Sequence, residues 1–534
     1  MRYPLTVRAL FERARLYFPD REIVSRMSTG IVRHTYAQLS ARTAQLAHAL
    51  AALGVKRGDR VATFAWNHYR HLEAYFAAPC MGAVLHTINI RLPAEHIIYI
   101  ANHAKDKVLL VDEDLLPAIL PIADQFKTIE RIIVMSDSRT ERPGLLDYES
   151  LLEGKPTTYA WPEEIDEWET AGICFTSATT GNPKGVTYTH RAIYLHTMGA
   201  CMADTVGISE RDTIMPIVPM FHVNAWGLPF AATFMGAKQV LPGPRPTPAD
   251  LIQLMVDEKV TCAAGVPTVW MGVMMVLEKD PTIQFPALRK IACGGAAVPE
   301  ALSLAYQKRI GLPIFHAYGM TEAAPVTHVC ALKAEMDAWA PAEQQKVRNK
   351  QGILVPGLEM KILDKDGHEV PWDGKTFGEI CLRGPWIADD YFGDPRAQET
   401  FVGGWYRTGD IANIDANGYI QIVDRTKDVI KSGGEWISSV ELENATMGIP
   451  GVAEAAVVAA PHPVWDERPV ACVVLKPGVT LTAEQIQAAL REKFPAYWVP
   501  DAVQFLAEIP KGATGKFDKK ILRAGVKDLF TAKA

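Results

Sequence analysis

TSATTGNPKGVTYTH, residues 176–190, follows the apolar run GICF and ends in the alternating segment GVTYTH. Its first ten positions hold three Thr, one Ser, two Gly, one Pro and one Lys. Glycine lets backbone N–H groups converge on an anion without Cβ obstruction. Ser177, Thr179 and Thr180 add hydroxyl donors and Lys184 adds a point charge. Each charge-assisted hydrogen bond is worth about 1.5–3 kcal/mol, so a handful would hold a triphosphate. An ordinary polar turn between two strands has a similar composition. The stretch is not a Walker A loop, because Lys184 stands between Pro183 and Gly185 rather than in G-K-[ST]. PKGATGKFDKK at 510–520 fails the same test: Pro510 stands where the first Gly is needed, and Phe517 follows Lys516.

Outward from the loop, short β-rich runs (RVATFA, KVLLVD, RIIVMS, KIACGG, PIFHAYG) alternate with helical patterns such as YAQLSARTAQLAHALAAL. That alternation predicts parallel sheets covered by helices. From about residue 350 to 424 the texture changes to short strands with the turn signals DKDG and DANG, which predict a small antiparallel, barrel-like unit. TKDVIKSGGEW then leads into a last segment of mixed strand and helix. The expected architecture is a multidomain α/β chain. It comprises a large N-terminal domain over 1–424 and a small, mobile α+β domain over 425–534.

At 534 residues, 48% hydrophobic and 22% charged, the composition is that of a globular protein with more than one core. A net charge of −6 without basic blocks argues against nucleic acid as a partner. The eight Cys are scattered and read as reduced core thiols. No stretch is apolar enough for a membrane span, and the amphipathic N-terminus lacks the apolar core of a secretory signal. A cytoplasmic location is expected, and a homodimer is left open.

The 176–186 stretch resembles the phosphate loop of the adenylate-forming superfamily: acyl-CoA synthetases, peptide-synthetase adenylation domains and firefly luciferase. Ala178 departs from the usual Gly. PMFHVNAWG (219–227), VPTV (266–269), GGAA (294–297), AYGMTE (317–322), WYRTGD (405–410), DRTKDVIKSGGEW (424–436) and PKGATGKFDKK (510–520) resemble the same family's motifs in the same order. The resemblance implies ATP and CoA as co-substrates, Mg²⁺ as cofactor and a two-step reaction through an acyl adenylate. It assigns the nucleotide to Thr176, Ser177, Thr179, Thr180, Lys184, Gly294, Gly295, Ala317, Tyr318, Thr321, Asp410, Arg425 and Lys516. Glu322, with Thr176, would hold Mg²⁺, since a carboxylate oxygen is a hard ligand. Asp410 would accept from the ribose hydroxyls, and Tyr318 would offer adenine a ring face. Lys516, His222, Thr321 and Glu322 would carry the catalysis. Lys427 would be the hinge, and Lys431, Gly433, Gly434, Glu435 and Trp436 would line the CoA tunnel.

For the acid, the implied pocket is His222, Trp226, Val266 and Gly294. Amino-acid-activating relatives carry an Asp where His222 stands, so an α-amino acid is not expected. Trp226 follows His222 by four positions, a spacing that predicts two rings on one face of a helical turn and a cap on pocket depth. FHVNAWGLP and the short KSGGEW linker resemble bacterial medium-chain fatty acyl-CoA ligases and 3-(methylthio)propionyl-CoA ligases. A short-to-medium fatty acid is the expected substrate, with 3-(methylthio)propionate the alternative. An aromatic-acid ligase or a luciferase-type oxygenase stands further back. A nucleotide sensor without catalysis would lack Lys516 or Glu322, and both are present.

Overall fold

The computed structural model describes all residues except 2, 139–141, 177–181, 426–427, 434, 513–516 and 531–534, and of 435–436 the backbone alone. Its first sheet has seven strands, ordered Leu146–Asp147, Arg131–Met135, Asp106–Asp112, Arg60–Phe64, Val84–Thr87, Thr170–Phe175 and Gly185–Thr189. Every neighbour is parallel except the last pair, an antiparallel hairpin whose loop is the 176–184 stretch. The second sheet has nine strands: Ile353–Leu354, Val326–Val329, Ile314–Gly319, Lys290–Gly294, Cys262–Gly265, Thr213–Pro216, Lys238–Leu241, Glu22–Met27 and Gly30–Thr35. It is parallel through its centre and antiparallel at both ends. Strands covered on both faces read as unbroken apolar runs, and every residue of Thr213–Pro216 and Cys262–Gly265 is buried.

Helix Tyr69–Cys80 touches strands of both sheets, and all 12 of its residues are buried. A helix buried all round must satisfy its polar members internally. Glu73 therefore accepts from Arg42 Nε and the Tyr148 hydroxyl, each at 2.5 Å, and Arg70 bonds Glu149 at 2.8 Å and Asp137 at 2.9 Å. The amphipathic N-terminus is helix Val7–Tyr17, which buries Val7, Leu10, Phe11 and Ala14, with Phe11 stacked on Phe76 at 4.8 Å. Burying such an aromatic is worth about 1.5–3 kcal/mol.

The small antiparallel sheet comprises Glu359–Leu363, Gly378–Arg383, Phe401–Val402, Trp405–Ile414 and Ile420–Arg425. It begins later than the texture suggests, because Ile353–Leu354 still belongs to the second sheet. Both turn signals form as read: Asp364 Oδ1 caps DKDG from the N–H groups of Asp366 and His368, and Asp415 Oδ1 caps DANG from those of Asn417 and Tyr419. The last sheet holds Ile430–Ser432, Glu435–Ile437, Val452–His462, Asp466–Leu475 and Ala502–Phe505, with two apolar clusters of its own. All eight Cys are free thiols, and seven are buried. Among the described residues no helix is long and apolar enough to cross a membrane.

Candidate active site

The parallel strands of the second sheet end side by side, the place where open α/β sheets take ligands. Val266 follows the strand Cys262–Gly265, Gly294 ends Lys290–Gly294, and Ala317 and Tyr318 lie near the end of Ile314–Gly319. Gly294 pairs with Ala317. A Cβ at Gly294 would stand 2.3 Å from the Ala317 carbonyl oxygen and 3.4 Å from the Trp226 ring. Only glycine fits between them. Gly295, at φ +80°, turns the chain away directly afterwards.

The segment carrying His222 and Trp226 corrects the sequence reading. Val223, Asn224, Ala225 and Trp226 all have positive φ, from 46° to 59°, so the turn is left-handed. In a right-handed helix the rings of His222 and Trp226 would share a face. Here His222 is extended, at φ −124°, and the following turn winds the other way. Each L-residue in such a turn costs roughly 1–2 kcal/mol, Asn the least. Buried Asn224 is its anchor: Oδ1 accepts from Thr87 Oγ1 and Cys174 Sγ, each at 3.5 Å, tying the turn to the first sheet. Gly227, at φ 73°, closes it.

Lys184 and Glu322 come from different sheets. Lys184 precedes the strand Gly185–Thr189; its carbonyl accepts from Thr176 N at 2.9 Å, and its N–H donates to Thr176 Oγ1 at 3.3 Å. Glu322 lies in the short 3₁₀ turn Thr321–Ala323. Two bonds from outside hold that turn: the Tyr188 hydroxyl donates to the Thr321 carbonyl, and Ala388 N donates to the Glu322 carbonyl, both at 2.7 Å. Between the two charges stands Tyr391. Its hydroxyl donates to Glu322 Oε1 at 2.7 Å, and the Lys184 ammonium sits 4.3 Å from its ring centroid. Burial pulls the Lys184 ammonium below the usual lysine range, and Arg396 adds to this, while Glu322 and Asp394 oppose it. Arg396 also donates to the Asn182 carbonyl at 3.1 Å. Among the described residues Lys184 forms no ion pair, and no three His, Cys, Asp or Glu side chains cluster as a metal cage. A lone, 8%-exposed carboxylate suits Mg²⁺, which retains waters and takes its other oxygens from phosphates.

Asp410 lies on the strand Trp405–Ile414, opposite Arg425. Its Oδ2 accepts from the Tyr318 hydroxyl at 2.5 Å, and its Oδ1 is 3.3 Å from Arg425 Nε. Asp410 raises the affinity of the Arg425 guanidinium for its proton, and burial raises that of the Tyr318 phenol. Three residues from separate motifs thus form one chain of contacts.

In the last sheet, Gly433 has φ +60°, and its N–H donates to the Trp465 carbonyl at 2.9 Å. A Cβ there would meet the Trp465 ring at 2.9 Å. Lys431 is exposed, with its N–H bonded to Glu467. Ser432 between them accepts from buried Arg468, which also grips Asp501 through two bonds. Ser177, Ala178, Thr179, Thr180, Lys427, Gly434 and Lys516 lie outside the described residues, as do the side chains of Glu435 and Trp436. Sequence reasoning missed Tyr391, Arg396 and Arg468. The first two sit in RGPWIADDYFGDPR, a stretch that signals only a loop after a strand.

A family model described as AMP-binding enzyme matches residues 11–392, and one described as AMP-binding enzyme C-terminal domain matches 441–516. A long-chain-fatty-acid–CoA ligase of Thermus thermophilus is 47% identical, covering 97% of this chain and 95% of its own. A medium-chain-fatty-acid–CoA ligase of Ectopseudomonas oleovorans is 41% identical over 99% of this chain and 97% of its own. Among solved structures, the anthranilate CoA ligase AuaEII in complex with anthranoyl-AMP superposes with a TM-score of 0.89 at 26% identity, covering 99% of both chains.

Proposed function

The chain belongs to the AMP-binding enzyme family and is an ATP-dependent acyl-CoA ligase working through an acyl adenylate; we propose that its acid is a straight-chain fatty acid of short to medium length. The observation that carries the assignment of its site is the meeting of Lys184 and Glu322 across one tyrosine. A bare Lys–Glu pair at contact distance would neutralise itself. With the ammonium over the Tyr391 ring and the carboxylate at its hydroxyl, Lys184 stays free for phosphate oxygens and the second carboxylate oxygen stays free for a metal.

In the first half-reaction the acid's carboxylate oxygen bonds to the α-phosphorus of ATP and pyrophosphate leaves. Lys184 and the hydroxyls of the 176–180 loop hold the phosphates that depart. Bound through Glu322, Mg²⁺ would neutralise phosphate charge. Asp410 would take the ribose hydroxyls, exchanging its bond from Tyr318 for bonds from the sugar, and Tyr318 would face adenine beside Gly294, Gly295 and Ala317. Lys516 would meet the charge that develops on the α-phosphate. At about 4 Å a cation contributes on the order of 4 kcal/mol at an effective dielectric near 20.

In the second half the CoA thiolate sulfur bonds to the acyl carbon, the bond from that carbon to the phosphate oxygen breaks, and AMP leaves with the electron pair on that oxygen. The C-terminal unit would turn about Lys427 between the halves, withdrawing Lys516 and presenting 431–436. Trp226, packed against Gly294 at the strand ends, would set the depth of the acyl pocket.

The test is kcat/KM for thioester formation with acetate, butyrate, hexanoate, octanoate, dodecanoate, hexadecanoate, 3-(methylthio)propionate and benzoate. The optimum is expected between butyrate and dodecanoate. A hexadecanoate or benzoate optimum contradicts the chain-length reading, and a 3-(methylthio)propionate optimum favours the alternative.

A further inference from the structure

Tyr391 occupies a position that packing alone does not explain. It is 3% exposed, with Phe401 edge-on at 5.1 Å, and its hydroxyl donates to Glu322 Oε1 at 2.7 Å. The other face of the site, the Lys184 ammonium, rests on its ring at 4.3 Å. The next residue ties this loop to the first sheet, since Phe392 N donates to the Gly185 carbonyl at 2.8 Å. Ala388 N, three positions before Tyr391, holds the Glu322 carbonyl at 2.7 Å. One short loop therefore fixes both halves of the nucleotide site relative to each other.

We propose that Tyr391 is a positioning residue that sets the Glu322 carboxylate for the metal of Mg·ATP and holds Lys184 apart from it. The hydroxyl and the ring carry separable tasks. A hydrogen bond to Oε1 fixes the carboxylate rotamer and directs Oε2 to the metal, as partners of metal ligands do. The ring attracts the ammonium without neutralising it, as a hydrogen-bonding carboxylate would. The inference rests on the reading of Glu322 as the metal ligand.

Two variants separate the tasks, with binding as the readout: Mn²⁺ as the probe metal, α,β-methylene-ATP as the nucleotide, and electron paramagnetic resonance to count free Mn²⁺. Tyr391→Phe keeps the ring. It is expected to weaken Mn²⁺ in the ternary complex about tenfold and to leave metal-free nucleotide affinity in EDTA unchanged. Tyr391→Leu removes both groups and is expected to weaken metal and nucleotide together. A thermal midpoint for Tyr391→Phe close to the parent's shows that the loop is intact. Parental Mn²⁺ affinity in Tyr391→Phe overturns the proposal, as does an equal loss of metal-free nucleotide affinity. If the parent binds nucleotide equally with and without metal, the reading of Glu322 fails and takes this inference with it.

Discussion

At the scale of single residues, Lys184 and Glu322 meet at Tyr391, one over its ring and one at its hydroxyl, with no ion pair between them. Glu322 has one oxygen engaged by Tyr391 and its backbone carbonyl held by Ala388, so replacing the carboxylate changes charge with little change of shape. Glu322→Gln is expected to lower acid-dependent pyrophosphate release by about 100-fold or more, with the thermal midpoint nearly unchanged; release within threefold of the parent would remove Glu322 from the metal site. Gly433→Ala would place a methyl 2.9 Å from the Trp465 ring on a residue at φ +60°. It is expected to slow CoA thioester formation while leaving pyrophosphate release from the first half intact, as rapid-quench analysis of both products will show. Lys184, Glu322 and Asp410 could be named from the sequence because each stands in a short motif that resembles those of the adenylate-forming superfamily, and the structure brings Lys184 and Glu322 to one tyrosine. Tyr391 was not legible. Its partner Glu322 is 69 positions away, and nothing local marks a loop tyrosine as a spacer between charges.

At the scale of elements, the sequence announces what local chemistry decides. Helix Tyr36–Ala52 starts with the capping box Thr35/Gln38, and helix Ala483–Arg491 with Thr482/Gln485, both visible as T-x-x-Q before a periodic run. The two Asp-capped hairpins were equally open to reading. The left-handed turn Val223–Trp226 was not, because four consecutive L-residues at positive φ run against local preference and persist through contacts with the other sheet. Asn224→Ala removes the anchor and the residue best suited to that conformation. It is expected to cost about 1–2 kcal/mol, seen as a lower thermal midpoint, and to broaden the range of acids accepted as Trp226 loses its placement. An unchanged midpoint and an unchanged acid profile would show that the turn is held by other means. Trp226→Ala, which shortens the side chain beside Gly294, is expected to move the optimum toward longer acids.

At the scale of the whole molecule, strand–helix alternation foretold parallel sheets covered by helices, but neither their number nor that the proposed nucleotide-site residues would come from more than one of them. The hairpin of the first sheet brings Lys184, the strand ends of the second bring Glu322 and Tyr318, and the small antiparallel sheet brings Asp410 and Arg425. Pairing across such distances depends on the packing of helix Tyr69–Cys80 between the sheets, which no single window of sequence contains. In the last unit, Asp424 on the small sheet accepts from Ser439 N at 3.0 Å, and Lys519 pairs with Glu443 at 2.8 Å. Asp424 and Ser439 stand on either side of the proposed hinge, Lys427, in the sequence. Lys516→Ala is expected to abolish adenylation and to leave thioester formation from supplied acyl-AMP largely intact, whereas equal loss of both would contradict rotation between the halves.

The central claim, that acid and ATP react first and without CoA at a site built around Lys184 and Glu322, is tested most directly by isotope exchange between pyrophosphate and ATP with CoA absent. Octanoate is predicted to drive exchange in the parent protein and to drive almost none in Glu322→Gln. Exchange that requires CoA, or cleavage of ATP to ADP and phosphate, would contradict the account.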